Sequence, residues 1–249
     1  NSRKYQDAVM SMIGDKIPIS LYFGILSSII SYGVCIPLGI VKAIRHRTFV
    51  DNFSSILIFL GYSIPGFALG AIMLTYFGVE KQIFPLFGLL SPEYESLSIL
   101  DRISNWAAMT DSSMHTVLPL LCYATGGFAM PLLLLKNNLM DNLAADYVRT
   151  AMAKGVPFKK AVFGHAFRNS MIPIATGLGG LISIFVGGSM LIEKVFDIDG
   201  FGLMQFNAVL AKDMPLIMGT LTISAFLMLL GNILSDIIVA MIDPRIKFN

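Results

Sequence analysis

Five stretches of the chain carry no Asp, Glu, Lys or Arg: residues 17–41, 52–79, 112–135, 169–192 and 214–235. They are 22 to 28 residues long and continuously apolar, and about 20 apolar residues are enough for a helix to cross the hydrocarbon core of a bilayer. Strands of a membrane barrel would be about 10 residues long and would alternate polar with apolar. The pattern therefore predicts an all-α, polytopic transmembrane helical bundle, with five spans near 17–41, 53–79, 115–135, 169–192 and 214–241. Residues 136–168 form the polar connection between the third and fourth of these spans.

Composition agrees with the pattern. Of 249 residues, 55% are hydrophobic and 14% charged, with a mean hydropathy of +0.72, too apolar for a soluble domain of this size. Lys and Arg accumulate on the cytoplasmic side of membrane proteins, and their distribution sets the orientation. With the first span running inward, residues 42–51, 136–168 and the tail from 243 carry eleven basic and four acidic residues, and the opposite connections carry seven basic and eleven acidic. The expected topology is N-out and C-in. An outer N-terminal segment beginning at Asn1, with no export signal ahead of it, leads to the expectation of at least one further span upstream.

Individual side chains exclude several functions. Cys35 and Cys122 lie in apolar windows and read as small hydrophobes rather than as a disulfide or metal pair. His46, His115 and His165 fall in connections or span edges on alternating sides, so no metal site is expected. Asn52-Phe53-Ser54 matches a glycosylation acceptor, but on the cytoplasmic side. Pro65 is expected to kink the second span. Leu97, Ile99, Leu100, Ile103 and Trp106 predict a short amphipathic helix in the outer loop 80–114. Asp236 is the one charge within a span, about two turns from its inner end, and is expected to face water or a protein partner. No G-x-x-x-x-G-K-[ST] loop occurs, so the chain does not bind ATP by that route. Nothing points to a cofactor, to nucleic acid or to catalysis.

The connection 136–168 is the most informative segment. In "NLAADYVRTAMAKGVPFKK" the apolar positions Leu143, Tyr147, Val148, Ala151 and Met152 share one helical face. Lys154 is expected to end that helix, Gly155 to take the left-handed cap and Pro157 to follow as a stop and open the next helix. Phe158, Ala161, Val162, His165 and Ala166 then line one face of a second helix up to Arg168. Such a basic helix-turn-helix suits a protein-docking element or a connection held to anionic membrane lipid.

Arg149-Thr150-Ala151, three residues and then Gly155 resemble the Glu-Ala-Ala-x-x-x-Gly motif of permeases in binding-protein-dependent ABC importers, in the form typical of the dipeptide and oligopeptide branch. "HAFRNSMIP", "GYSIPGF", "GGSMLIEKVFDIDGFGLM" and "DPRIKF" extend the resemblance over essentially the whole chain. "FPLFGLLSPEYESL" and "KNNLMD" look most like the Yej-type branch, importers of oligopeptides and the peptide-nucleotide antibiotic microcin C. The Leu-Pro that follows the loop in the general family is replaced by Arg168-Asn169.

The resemblance implies a type I (MetI-like) permease fold and a non-catalytic membrane subunit in the bacterial inner membrane. Its implied partners are a second homologous permease, two cytoplasmic ABC ATPase domains and a periplasmic peptide-binding protein. It assigns Tyr147, Val148, Arg149, Thr150, Ala151, Lys154, Gly155 and Pro157 to the helix that couples to the ATPase. Pro65, Thr176, Ser183 and Ser189, on the second and fourth spans, are candidates for the substrate pathway. The alternative reading is a secondary, ion-coupled transporter, which normally shows several ionisable residues at the midplane.

Overall fold

The computed structural model describes residues 2, 8–97, 101, 104–177 and 189–242, and among these every regular element is helical. In chain order the helices are α1 (Val9–Ile44), α2 (Phe49–Ser63), α3 (Gly66–Met73), α4 (Pro92–Glu95), α5 (Trp106–Gly127), α6 (Ala129–Ala144), α7 (Asp146–Ala153), α8 (Phe158–Ala161), α9 (Phe167–Ser170), α10 (Met190–Phe196), α11 (Phe201–Leu210) and α12 (Met214–Ile242). Helix α3 continues into a wider π turn at Leu74–Glu80, and α8 into another at Val162–Ala166.

Helices α1 and α12 contain the first and last expected spans, and each is long and apolar enough to cross a membrane. The second stretch is not one helix. Ile64 and Pro65 interrupt it, and Pro65 stands at φ −56° and ψ 134° ahead of α3. Its ring fixes φ and removes the amide hydrogen that would continue the α2 ladder.

The third stretch is also broken, at Phe128 between α5 and α6, and both helices outrun the charge-free window. Helix α5 begins as early as Trp106 because Asn105 Oδ1 accepts from the backbone N–H of Ala107 at 3.0 Å and Ala108 at 3.4 Å, an N-cap. Asp111 lies inside that helix, and its carboxylate accepts from the Ser91 amide and hydroxyl at 2.7 and 2.6 Å. Of the fourth stretch, residues 178–188 lie outside the described residues. Residues 172–177 are helical, and α10 opens at Ser189, whose hydroxyl accepts from Ile192 N–H at 3.4 Å. Ile99, Leu100 and Ile103 of the expected amphipathic helix likewise lie outside the described residues. Trp106 itself is 77% exposed at the start of α5.

The chain divides into two compact units. One comprises Asn1–Ser27, Ile64–Gly126 and Ile184–Ala225. Its core gathers Phe23, Leu118, Cys122, Tyr123, Ile192, Phe196 and Ile198, with Phe23 stacked on Tyr123 at a ring-centroid distance of 5.7 Å. The other comprises Ser28–Ser63, Gly127–Ser183 and Phe226–Asn249. Among its described residues, Cys35, Ile58, Ala129 and Leu132 gather in one core and Ala43, Leu139, Val148, Ala161 and Ala166 in another. Both cysteines are buried and free, as small hydrophobes should be. Met218, Leu221, Phe226, Leu229, Ile233, Ile237 and Met241 of α12 are exposed, an arrangement suited to lipid or to another apolar helix and unsuited to water.

Candidate functional site

Helix α6 carries the chain past the expected span end at 135 as far as Ala144, so Leu143 belongs to α6 and not to the helix that follows. Ala145, extended at φ −70° and ψ 148°, makes the break, and α7 starts at Asp146. An acidic residue in the first turn suits the positive end of the helix dipole. Val148 is fully buried in the Ala43, Leu139, Ala161, Ala166 core. Ala151 and Met152 are half-buried beside it, whereas Tyr147, Arg149, Thr150 and Lys154 are exposed.

The end of α7 is a full Schellman motif. Gly155 N–H donates to the Met152 carbonyl at 2.9 Å and Val156 N–H to the Ala151 carbonyl at 3.1 Å, with Gly155 at φ +92°. Val156 packs on the core containing Val148, the apolar contact that accompanies such a cap. Pro157 is extended and caps α8 through its carbonyl, which accepts from Ala161 N–H at 3.0 Å, so it precedes the first helical turn.

Of the second expected face, Ala161, Val162 and Ala166 are buried, while Phe158 and His165 are exposed. The π turn at Val162–Ala166 inserts an extra residue and shifts the helical phase. Asn142, Tyr147, Asn169 and Ser170, spread over α6, α7 and α9, form a polar clamp. Tyr147 Oη donates to Asn142 Oδ1 at 2.6 Å and accepts from Asn169 Nδ2 at 3.1 Å, and Asn142 Nδ2 donates to Ser170 Oγ at 3.2 Å.

A buried charge cluster lies in the same unit. Asp51 is 2% exposed and receives Lys136 Nζ at 2.7 and 2.8 Å on its two carboxylate oxygens. Lys42, fully buried, sits 2.9 Å from Asp51 Oδ1 and donates to the Asp51 carbonyl and the Ser54 and Ser55 hydroxyls at 2.7 to 2.8 Å. Asp51 Oδ2 also accepts from Arg47 N–H at 3.0 Å and lies 3.2 Å from His46 Nδ1. Burial alone would raise the pKa of Asp51, but the bonds from Lys136, Lys42 and Arg47 and the Lys42 charge outweigh it and hold the carboxyl far below its ordinary range.

In the other unit, fully buried Glu193 gathers four elements. Its Oε2 accepts from Leu203 N–H at 2.7 Å, and Oε1 accepts from the Ser20 and Tyr123 hydroxyls at 3.1 Å each. Tyr123 Oη in turn accepts from Ser189 N–H at 2.8 Å, and Ser20 Oγ from Phe201 N–H at 2.9 Å. A Cβ on Gly200 would stand 2.6 Å from Glu193 Oε2, so the glycine leaves room for the carboxylate. Burial pushes the Glu193 carboxyl up against the pull of these donors.

The pathway candidates are only partly brought together. Pro65 is exposed, and neighbouring Gly66 packs close to the Cys122 carbonyl and the Ile192 side chain, one turn from Ser189. Thr176 belongs to the other unit and turns its hydroxyl back onto the Ile172 carbonyl at 3.1 Å. Ser183 lies outside the described residues. Neither Lys42, Asp51 and Lys136 nor Glu193 is a site residue in the sequence reading. They enter there only as charges bordering apolar windows.

Residues 35–248 match the family model described as "Binding-protein-dependent transport system inner membrane component". The inner membrane ABC transporter permease protein YejB of Escherichia coli O157:H7 is 40% identical over 244 residues, which cover 97% of this chain and 65% of that protein. The peptidoglycan transport system permease protein YejB of Agrobacterium fabrum is 38% identical with the same coverage. The oligopeptide transport system permease protein AppB of Bacillus subtilis is 32% identical over 96% of this chain and 72% of its own length. The chain thus spans a little under two thirds of the length of the two YejB relatives. With this match over most of its length and an all-helical, strongly apolar structure among the described residues, the chain belongs to the family of binding-protein-dependent transport system inner membrane components.

Proposed function

We propose that the protein is the permease subunit of an ATP-driven bacterial importer, forming half of a translocation pathway for peptides or peptide-like substrates. It is non-catalytic and pairs with a second homologous permease. Two cytoplasmic ABC ATPase domains supply the energy, and a periplasmic peptide-binding protein delivers the substrate. Its relatives' names, an oligopeptide system in one case and a peptidoglycan system in another, support a peptide-containing cargo, with microcin C one member of that class to test. They favour an ATP-driven subunit over an ion-coupled carrier.

The observation that carries the reading is α7. It is short, anchored by fully buried Val148, and presents Tyr147, Arg149, Thr150 and Lys154 outward ahead of the left-handed Gly155. This is where the family resemblance puts the ATPase-coupling motif. A helix with one buried anchor and an exposed polar face can pass a partner's displacement into the core behind it, and packed cores switch between discrete arrangements. Inverting a 1:99 population to 99:1 takes about 5.5 kcal/mol of differential binding, within reach of a nucleotide-driven partner. Pro65, Thr176, Ser183 and Ser189 are proposed as pathway residues, supported for Pro65 and Ser189 by the packing of Gly66 against Ile192, one turn from Ser189.

The test is co-purification of the tagged, full-length protein from its native host after mild solubilisation. The expected result is recovery of an ATPase and a second permease, with the ATPase lost when residues 149–155 are scrambled. A protein that purifies alone, or keeps the ATPase after scrambling, overturns the assignment.

A further inference from the structure

Lys136 sits one helical turn before Leu139 on α6. Leu139 is fully buried in the core that also holds Val148 of α7 and Ala43 at the end of α1. One face of α6 thus meets the outward-presented helix α7 through Leu139 and the α1–α2 turn through Lys136. A Cβ on Gly39 would lie 3.0 Å from a Leu135 methyl, so α1 and α6 are in close contact at this level.

The α1–α2 turn is closed without help from α6. Lys42 reaches over from α1 to the Asp51 carboxylate and carbonyl and to Ser54 and Ser55 in the first turns of α2. The Arg47 amide closes the turn from inside onto the same carboxylate. Asp51 therefore has a cation of its own. Lys136 is a second ammonium, reaching from a different helix and spanning both carboxylate oxygens. With two lysines on one aspartate, removal of Lys136 still leaves a neutral, hydrogen-bonded Lys42–Asp51 pair, whereas removal of Asp51 leaves two buried ammonium groups without a counter-charge.

The geometry points to Lys136 as a positioning residue: its ion pair with Asp51 is the joint that makes the α1–α2 turn follow α6 when α7 is displaced. This rests on the reading of α7 as the ATPase-coupling helix. The joint is buried, so water does not screen it, and the ammonium lies within hydrogen-bond distance of both carboxylate oxygens. Apolar contact through Leu139 alone would let the turn slide. The ammonium bridging both oxygens makes turn and helix move together.

The experiment uses the assembled complex of both permeases and the ATPases in liposomes, reading ATP hydrolysis and peptide uptake in the same preparation. Lys136→Met is expected to assemble and hydrolyse ATP, with uptake per ATP hydrolysed reduced tenfold or more. Lys136→Arg, which restores a cation bridging the carboxylate, is expected to return most of that ratio. A purely structural lysine would lower the yield of complex and leave the ratio alone. An unchanged ratio in Lys136→Met overturns the proposal, and so does failure of Lys136→Met and Lys136→Gln alike to accumulate in the membrane, since the Lys42–Asp51 pair should suffice for folding. If the wild-type complex contains no ATPase, it is the functional reading that fails. An ATPase-driven wild type whose Lys136→Met variant transports equally well removes only the joint.

Discussion

At the scale of single residues, Gly155 separates backbone from packing. Its φ of +92° lies where side chains are disfavoured, yet a Cβ there would meet nothing within 4 Å. Any penalty for a larger residue therefore comes from the main chain, about 1 kcal/mol for an ordinary side chain and more for a β-branched one. Gly155→Val is expected to abolish peptide uptake while the protein still reaches the membrane, because the Schellman cap that turns the chain from α7 into α8 opens. Gly155→Asn, the substitution best able to adopt the left-handed conformation, is expected to keep most uptake. Full uptake by the valine variant would mean that the cap geometry is irrelevant to coupling. This glycine was legible in the sequence because Lys-Gly-x-Pro after an amphipathic run is a helix stop with few alternatives. Lys136 and Asp51 were not. A charge at the border of an apolar window reads as the start of a wet connection, and only the close approach of α1, α2 and α6 makes it a buried pair.

At the scale of elements, the charge pattern located the spans, and Pro65 marked the break in the second of them. The run 115–135 divides at Phe128, where the apolar pattern shows no change but Gly126 and Gly127, both poor helix formers, stand just before the break. The segment 193–213 holds four acids and two bases, the composition of a wet connection between spans. It folds instead into α10 and α11 around Glu193, and its two glycines at 200 and 202 pack against that carboxylate. Glu193→Ala would orphan the Leu203 amide and the Ser20 and Tyr123 hydroxyls, each buried donor costing about 1–3 kcal/mol. The variant is expected to lose its folded state several degrees earlier in detergent melts. The carboxyl's folded pKa is raised, so its neutral form is the one the fold favours. Its contribution is complete below the unfolded value and is lost as pH rises through the folded value. Glu193→Gln, uncharged at every pH, is therefore expected to melt near the wild type in acid and to lack that part of the pH dependence. A glutamine variant with the wild-type pH profile would show that Glu193 does not titrate as described.

At the scale of the whole molecule, charge sorts with structure. The first unit carries seven basic and eleven acidic residues, and the second carries eleven basic and five acidic. The division into compact units owes nothing to charge, yet it separates the connections in the same way as the rule that basic residues stay in the cytoplasm. Exposed Lys154, in the cap of α7, and exposed Glu93 and Lys194 of the first unit should then face opposite sides of the membrane. Cys35 and Cys122 are 1% and 0% exposed, so both are shielded from a bulky thiol reagent, and replacing them by Ala removes any remaining background. In right-side-out spheroplasts a membrane-impermeant maleimide is expected to label Glu93→Cys and Lys194→Cys. Lys154→Cys should react only after the membrane is opened. Lys194 is the sharper probe, because a basic residue on the outer side runs against the local rule and only the summed asymmetry places it there. Labelling of Lys154→Cys in sealed spheroplasts would invert the topology and leave α7 on the side where no ATPase can reach it, and the coupling role would fall with the orientation.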